Sequence, residues 1–125
     1  MTISEKAQPL ASGELNNKIL EVVKAMKDAN AIRTGANEVT KVLNKGNGLL
    51  VLLAADCEPI EITAHIPVIC GEKDVPYVYV NGKDNLGKAC NISRPVVACV
   101  VFCDNEQRYN HIQKSVSKII KEINN

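Results

Sequence analysis

A three-layer α/β/α sandwich around a small mixed sheet is the fold this sequence predicts, and three observations predict it. Leu49 to Ala54 is an unbroken apolar run of strand length, the pattern of a strand buried on both faces. Pro95 to Cys103 is almost wholly apolar as well, which predicts a second interior strand. Stretches with helical spacing alternate with strand-like ones along the whole chain, so helices are available to cover both sides of the sheet.

Residues 1–12, with Ser4, Pro9 and Ser12 among few apolar groups, predict a loosely ordered arm, which leaves 13–125 as a single domain. Leu15, Ile19, Leu20, Val22, Val23 and Met26 recur near helical spacing, and with Ser12 as N-cap they predict a first amphipathic helix to about Asp28. Ala31-Ile32-Arg33 is too short to stand alone and reads as a brief edge strand. A second helix follows and stops at Gly46, where Asn44, Gly46, Asn47 and Gly48 cluster as a breaker.

After the first interior strand, Asp56-Cys57-Glu58-Pro59 reads as a turn. Pro59 to His65 reads as a short helix ending before Pro67, and Val68 to Cys70 as the opening of another that closes near Lys73. His65 is expected to make a structural hydrogen bond at a helix end. Tyr77 to Val80 is β-branched and aromatic and predicts a strand. Asn81-Gly82 is a turn, and Lys83 to Cys90 a helix in which Gly87 allows close packing on the sheet. Ile112, Val116, Ile119, Ile120 and Ile123 mark a C-terminal helix with Lys114, Lys118 and Lys121 outside.

Composition narrows the function. A chain of 125 residues that is 46% hydrophobic and 23% charged fits one globular domain. A formal net charge of +1 argues against holding nucleic acid by a blanket of positive charge, so any such binding must be local and shape-directed. The five cysteines stand singly in apolar stretches with no secretory signal before them, and read as reduced, mostly buried thiols of an intracellular protein. Cys99 and Cys103 with His65 and His111 lack the second cysteine pair of a structural zinc site. No apolar run reaches the roughly 20 residues of a membrane helix. Phosphate-binding, dinucleotide-binding and nucleophile-elbow motifs are absent, so neither an enzyme nor a cofactor is expected. Asp56 and Glu58, at the end of a buried strand, are the weaker alternative: an acidic pair of a small hydrolase.

Polar chemistry concentrates instead in Arg33-Thr34-Gly35-Ala36-Asn37-Glu38-Val39-Thr40-Lys41. At about 100° per residue, Asn37, Lys41 and Glu38 fall at roughly 0°, 40° and 100°, while Ala36, Val39, Val42 and Leu43 occupy the opposite arc. One face packs, and the other offers an amide, a carboxylate and an ammonium. Gly35 sits where the helix begins, so free N–H groups there face any anion, and Arg33 adds a fixed positive charge.

That word occurs in order with Leu53-Ala54-Ala55-Asp56-Cys57-Glu58-Pro59-Ile60-Glu61-Ile62, Val75-Pro76-Tyr77-Val78-Tyr79-Val80 and Asn91-Ile92-Ser93-Arg94-Pro95-Val96. Together they resemble the kink-turn RNA-binding family of ribosomal and small ribonucleoprotein particles, over about Leu15 to Asn125. The resemblance implies a sheet of about four strands. It also implies an RNA ligand: a sharply bent helix–internal loop–helix with tandem sheared G·A pairs and one extruded nucleotide. Asn37, Glu38 and Lys41 would read guanine edges, with Arg33, Thr34 and Gly35 beside them. Ile92, Arg94 and Val97, with Glu58, Ile62 and Lys83, would enclose the extruded base. Many relatives carry a second basic residue where this chain has Thr34, which weakens backbone contacts and leaves the guanine readout intact.

The loop Ile92-Ser93-Arg94-Pro95-Val96 looks like that of the eukaryotic members found in the spliceosomal tri-snRNP and in box C/D small nucleolar particles; a large-subunit ribosomal or H/ACA-particle member is the alternative. The resemblance thus implies kink-turns of small nuclear and small nucleolar RNA as partners, together with other particle proteins. It places the chain in the nucleus and nucleolus, as a monomer outside the particle.

Overall fold

The computed structural model describes residues 13–56, 63–80, 82–103 and 106–124, with side chains of 13, 106–109, 111 and 122–124 left aside. The expected arm, Ser12 as N-cap, and Cys57, Glu58, Ile62 and Asn81 lie outside these residues. The elements run α1 (Gly13–Asp28), β1 (Ile32–Thr34), α2 (Ala36–Lys45), β2 (Gly48–Ala54), α3 (His65–Lys73), β3 (Tyr77–Val80), α4 (Lys83–Ala89), β4 (Ala98–Phe102) and α5 (Glu106–Asn124). The strands form a four-stranded mixed sheet in the order β1-β4-β2-β3. β4 is antiparallel to both β1 and β2, whereas β2 and β3 are parallel. The brief strand expected at residues 31–33 is indeed an edge, and both long apolar runs are interior.

Two-sided burial explains the three layers. Leu50 and Leu52 of β2, Val78 and Val80 of β3, and Cys99 and Val101 of β4 pack with Ile19, Val23 and Met26 of α1, with α4 and with α5. Their alternates Val51, Leu53, Tyr79, Ala98 and Val100 pack with Val39 and Leu43 of α2 and Ile66 and Cys70 of α3. Successive strand side chains point to opposite faces, so a strand apolar throughout requires helices on both. The α1 residues recur at i, i+4 and i+7, one stripe of a helix.

Local signals set the ends. α2 stops at Gly46, whose φ of 82° is left-handed. The Gly46 N–H donates to the Leu43 carbonyl and the Asn47 N–H to that of Val42, the pair of bonds that closes a Schellman motif.

Three expectations need correction. Of the short helix expected at Pro59 to His65, residues 59–62 lie outside the described residues; Thr63 and Ala64 form a turn, and a single helix, α3, runs from His65 through Pro67 to Lys73. Pro67 is the third residue of that helix, in the first turn, where an N–H has no intrahelical partner and its loss costs nothing. The expected strand from Pro95 to Cys103 is trimmed to Ala98–Phe102, because Pro95 has no N–H to give and the Val96 N–H donates to the Lys83 carbonyl at 3.1 Å. Finally, Gly87 packs against the chain at 94–96 and not against the sheet. Cys70, Cys90 and Cys99 are buried and form no disulfide. Burial pushes Cys70 up to about 11, while a hydrogen bond between the Cys90 and Cys99 thiols lowers the first and, with burial, raises the second.

Gly87→Ala tests the close approach. In an open helix the change would stabilise by about 1 kcal/mol. Here the new methyl meets the main-chain carbonyl of Arg94, which cannot swing aside as a side chain could. Net destabilisation of about 1–3 kcal/mol is expected from overpacking, read as a lower urea midpoint. A midpoint at or above wild type would show that the 91–97 segment retreats freely.

Candidate functional site

The ends of the strands gather the candidate residues. β1 ends at Thr34 opposite Cys99, near the start of β4, and the C-terminal ends of β2 and β3 lie at that same end of the sheet. α2 and α4 both begin there. The chain leaving α4 crosses back at residues 91–97 to enter β4.

Gly35 makes the turn from β1 into α2. Its φ of 96° and ψ of 142° are strained for any residue with a Cβ. Its N–H donates to the Ala98 carbonyl at 2.8 Å, and its own carbonyl accepts the Val39 N–H at 2.9 Å. That is the first helical bond of α2, so the N–H groups of Ala36, Asn37 and Glu38 have no intrahelical acceptor, and no side chain caps them. Asn37, Glu38 and Lys41 are all exposed, as the helical arc requires, while Val39 and Leu43 are fully buried. Glu38 and Lys41 form an ion pair at 3.5 Å. At that exposure the pair contributes well under about 1 kcal/mol, so either side chain can be taken by a ligand at small cost.

Two side-chain contacts lie beside α2, and the first draws Arg33 toward Phe102, at the end of β4 away from Gly35. The Arg33 guanidinium lies 4.6 Å from the centroid of the Phe102 ring, a cation–π contact that keeps a long side chain in place, and Nη1 donates to the Ile32 carbonyl. On the other flank Thr40 Oγ1 donates to the Ala36 carbonyl at 2.8 Å. Its single proton is thereby used, so at 3.0 Å from His65 Nε2 it acts as acceptor and the imidazole nitrogen carries the hydrogen. His65, expected at a helix end with a structural bond, makes it from the first residue of α3.

The second group sits on α4 and the following segment. Asp56 Oδ1 accepts the Lys83 N–H at 2.8 Å, tying the start of α4 to the end of β2 and occupying the carboxylate read as half of an acidic pair. Lys83 is half-buried. Ile92 is half-buried against the core beneath α1 and α4, Val97 is half-buried, and Ser93, Arg94 and Pro95 are exposed. The Val97 carbonyl accepts the Ala54 N–H at 2.9 Å. Because Val97 precedes Ala98, which holds Gly35, the two groups meet at one point of the sheet. Glu58 and Ile62 lie outside the described residues.

Sequence reasoning expected the bond at His65 without its partner Thr40, and it missed the helix-capping role of Asp56. A carboxylate at a strand end 27 residues before a helix start leaves no local trace. Among the described residues, no group of three or more His, Cys, Asp or Glu side chains is placed to hold a metal ion, and no helix is long and apolar enough to cross a membrane.

Comparison with known proteins gives a consistent picture. Residues 17–111 match the ribosomal protein L7Ae/L30e/S12e/Gadd45 family. The chain is 42% identical over 122 residues to NHP2-like protein 1 of Rattus norvegicus, covering 94% of this chain and 95% of that one. It is 45% identical over 105 residues to the NHP2-like protein 1 homolog of Dictyostelium discoideum, covering 84% and 81%. Among solved structures, the Giardia lamblia 15.5kD RNA binding protein aligns with a TM-score of 0.84 at 39% identity, over 95% of this chain and 98% of that chain.

Asp56→Ala removes the acceptor at the α4 N-terminus and is expected to cost about 1 kcal/mol, as the loss of an N-terminal cap does. Chemical denaturation checks it, and unchanged stability would mean that water caps α4 equally well.

Proposed function

Because this chain belongs to the ribosomal protein L7Ae/L30e/S12e/Gadd45 family, we propose that it binds kink-turn RNA and thereby nucleates assembly of the spliceosomal tri-snRNP and box C/D small nucleolar particles. It acts by binding and not by catalysis, in the nucleus and nucleolus, alongside other particle proteins. The observation that carries the reading is the exposed amide, carboxylate and ammonium of Asn37, Glu38 and Lys41, on a helix whose first N–H groups are uncapped.

The chemistry of the face fits guanine. Its O6 and N7 accept from Lys41 and from the Asn37 amide, and its N1 and N2 donate to Glu38. A carboxylate turned toward RNA repels phosphates, so Glu38 is useful there as a reader of base donors. Distorted, unpaired RNA is where side chains reach base edges, which suits a chain with a net charge of +1. Arg33, Thr34 and Gly35 take the adjoining backbone. Ile92 and Val97, with Lys83 and Arg94, form the wall for the extruded nucleotide, together with Glu58 and Ile62. Likeness to the Giardia lamblia 15.5kD RNA binding protein supports the ligand class. The loop Ile92-Ser93-Arg94-Pro95-Val96 favours the tri-snRNP and box C/D type over a ribosomal or H/ACA one.

In a gel-shift titration the protein should bind a kink-turn RNA with sheared G·A pairs far more tightly than a fully paired duplex of equal length; equal affinity would reject the reading. Glu38→Ala and Lys41→Ala should each weaken kink-turn binding by about 1–3 kcal/mol and leave the melting temperature near wild type, since both side chains are exposed. Loss of the thermal transition in either variant would show that the face serves stability instead.

A further inference from the structure

Beyond the residues assigned so far, α4 presents a cationic path. Lys88, in the last turn of α4, walls two grooves. One, of about 340 Å³, runs between α4 and the segment Ile92 to Pro95, and Arg94 is in its lining. The other, of about 260 Å³, lies between α4 and α1 and is lined by Lys24 and Asn85. The grooves share Lys88 in their linings, so they lie side by side on α4 as a furrow with one arm toward residues 92–95 and one toward α1.

Lys24, Lys88 and Arg94 are exposed along the furrow, and none of them makes an ion pair among the described residues. Glu21 and Asp84 border it as well, without closing on the lysines. The two linings thus hold three cations and two carboxylates, a small positive excess beside the proposed base-binding wall. Lysine ammonium groups on flexible stems act as point charges for phosphate. The Asn85 amide adds a neutral donor.

We infer that this furrow carries the phosphate backbone of the stem leaving the kink, with Lys24 and Lys88 each neutralising a phosphate. The inference rests on the kink-turn reading above and extends it from the internal loop to a flanking helix of the RNA. Each phosphate neutralised adds about 0.9 to the steepness of log affinity against log salt.

Salt dependence therefore tests it. Wild type, Lys24→Gln and the double variant Lys24→Gln/Lys88→Gln are titrated between about 50 and 200 mM salt against two kink-turn RNAs, one with extended stems and one with stems trimmed to the pairs next to the internal loop. On the long RNA the slope should be shallower than wild type by about 0.9 for the single variant and about 1.8 for the double. On the trimmed RNA the three proteins should nearly coincide. Matching melting curves confirm folding. Coincident slopes on the long RNA, with the preference for kink-turn over duplex intact, overturn this inference alone and return the furrow to solvent or to a protein partner. A wild type without that preference overturns the kink-turn reading and the inference with it.

Discussion

Every residue of β4 is buried, as is every residue of β2 from Leu50 onward, and this constraint shapes the rest of the molecule. Helices cover both faces of the sheet, so neither face is free to meet a ligand. Polar main chain and variable side chains can emerge only where strands end and helices begin, which in α/β folds is where ligands gather. The candidate residues collect at one such end because the core excludes them from everywhere else.

At that end one hydrogen bond sets the spacing of the parts. The Gly35 N–H on the Ala98 carbonyl joins the start of α2 to the start of β4, and the residue before Ala98 closes the segment that begins after α4. The Lys83 carbonyl holds Val96, and Asp56 holds Lys83. A face on one helix and a wall on another are thus linked through two main-chain bonds, with the Asp56 carboxylate as the one side-chain link.

How much of this was legible in the sequence follows from the range of each interaction. The apolar runs of β2 and β4, the breaker at Gly46 and the arc of Asn37, Glu38 and Lys41 are patterns of neighbouring residues, and the structure has them where they were expected. Pro67 was misread because a proline ends a helix or sits in its first turn, and the choice depends on where the turn before it falls. Gly87 was read as packing on the sheet, yet the chain that needs its missing side chain is the 94–96 segment, which only folding brings over α4. The trimmed β4 has the same origin, since the Val96 N–H is claimed by a carbonyl 13 residues earlier. Contacts of that range are set by tertiary structure, and local pattern is silent about them.

The contact between α2 and α3 places one hydroxyl at a junction. Thr40 Oγ1 lies 2.8 Å from the Ala36 carbonyl and 3.0 Å from His65 Nε2, so a single oxygen bonds both the first turn of its own helix and the first residue of α3. The two helices share that atom as their polar point of contact, above the apolar packing of Val39 and Leu43 on Ile66 and Cys70. A valine at this position would keep the branched shape of threonine and lose both bonds together.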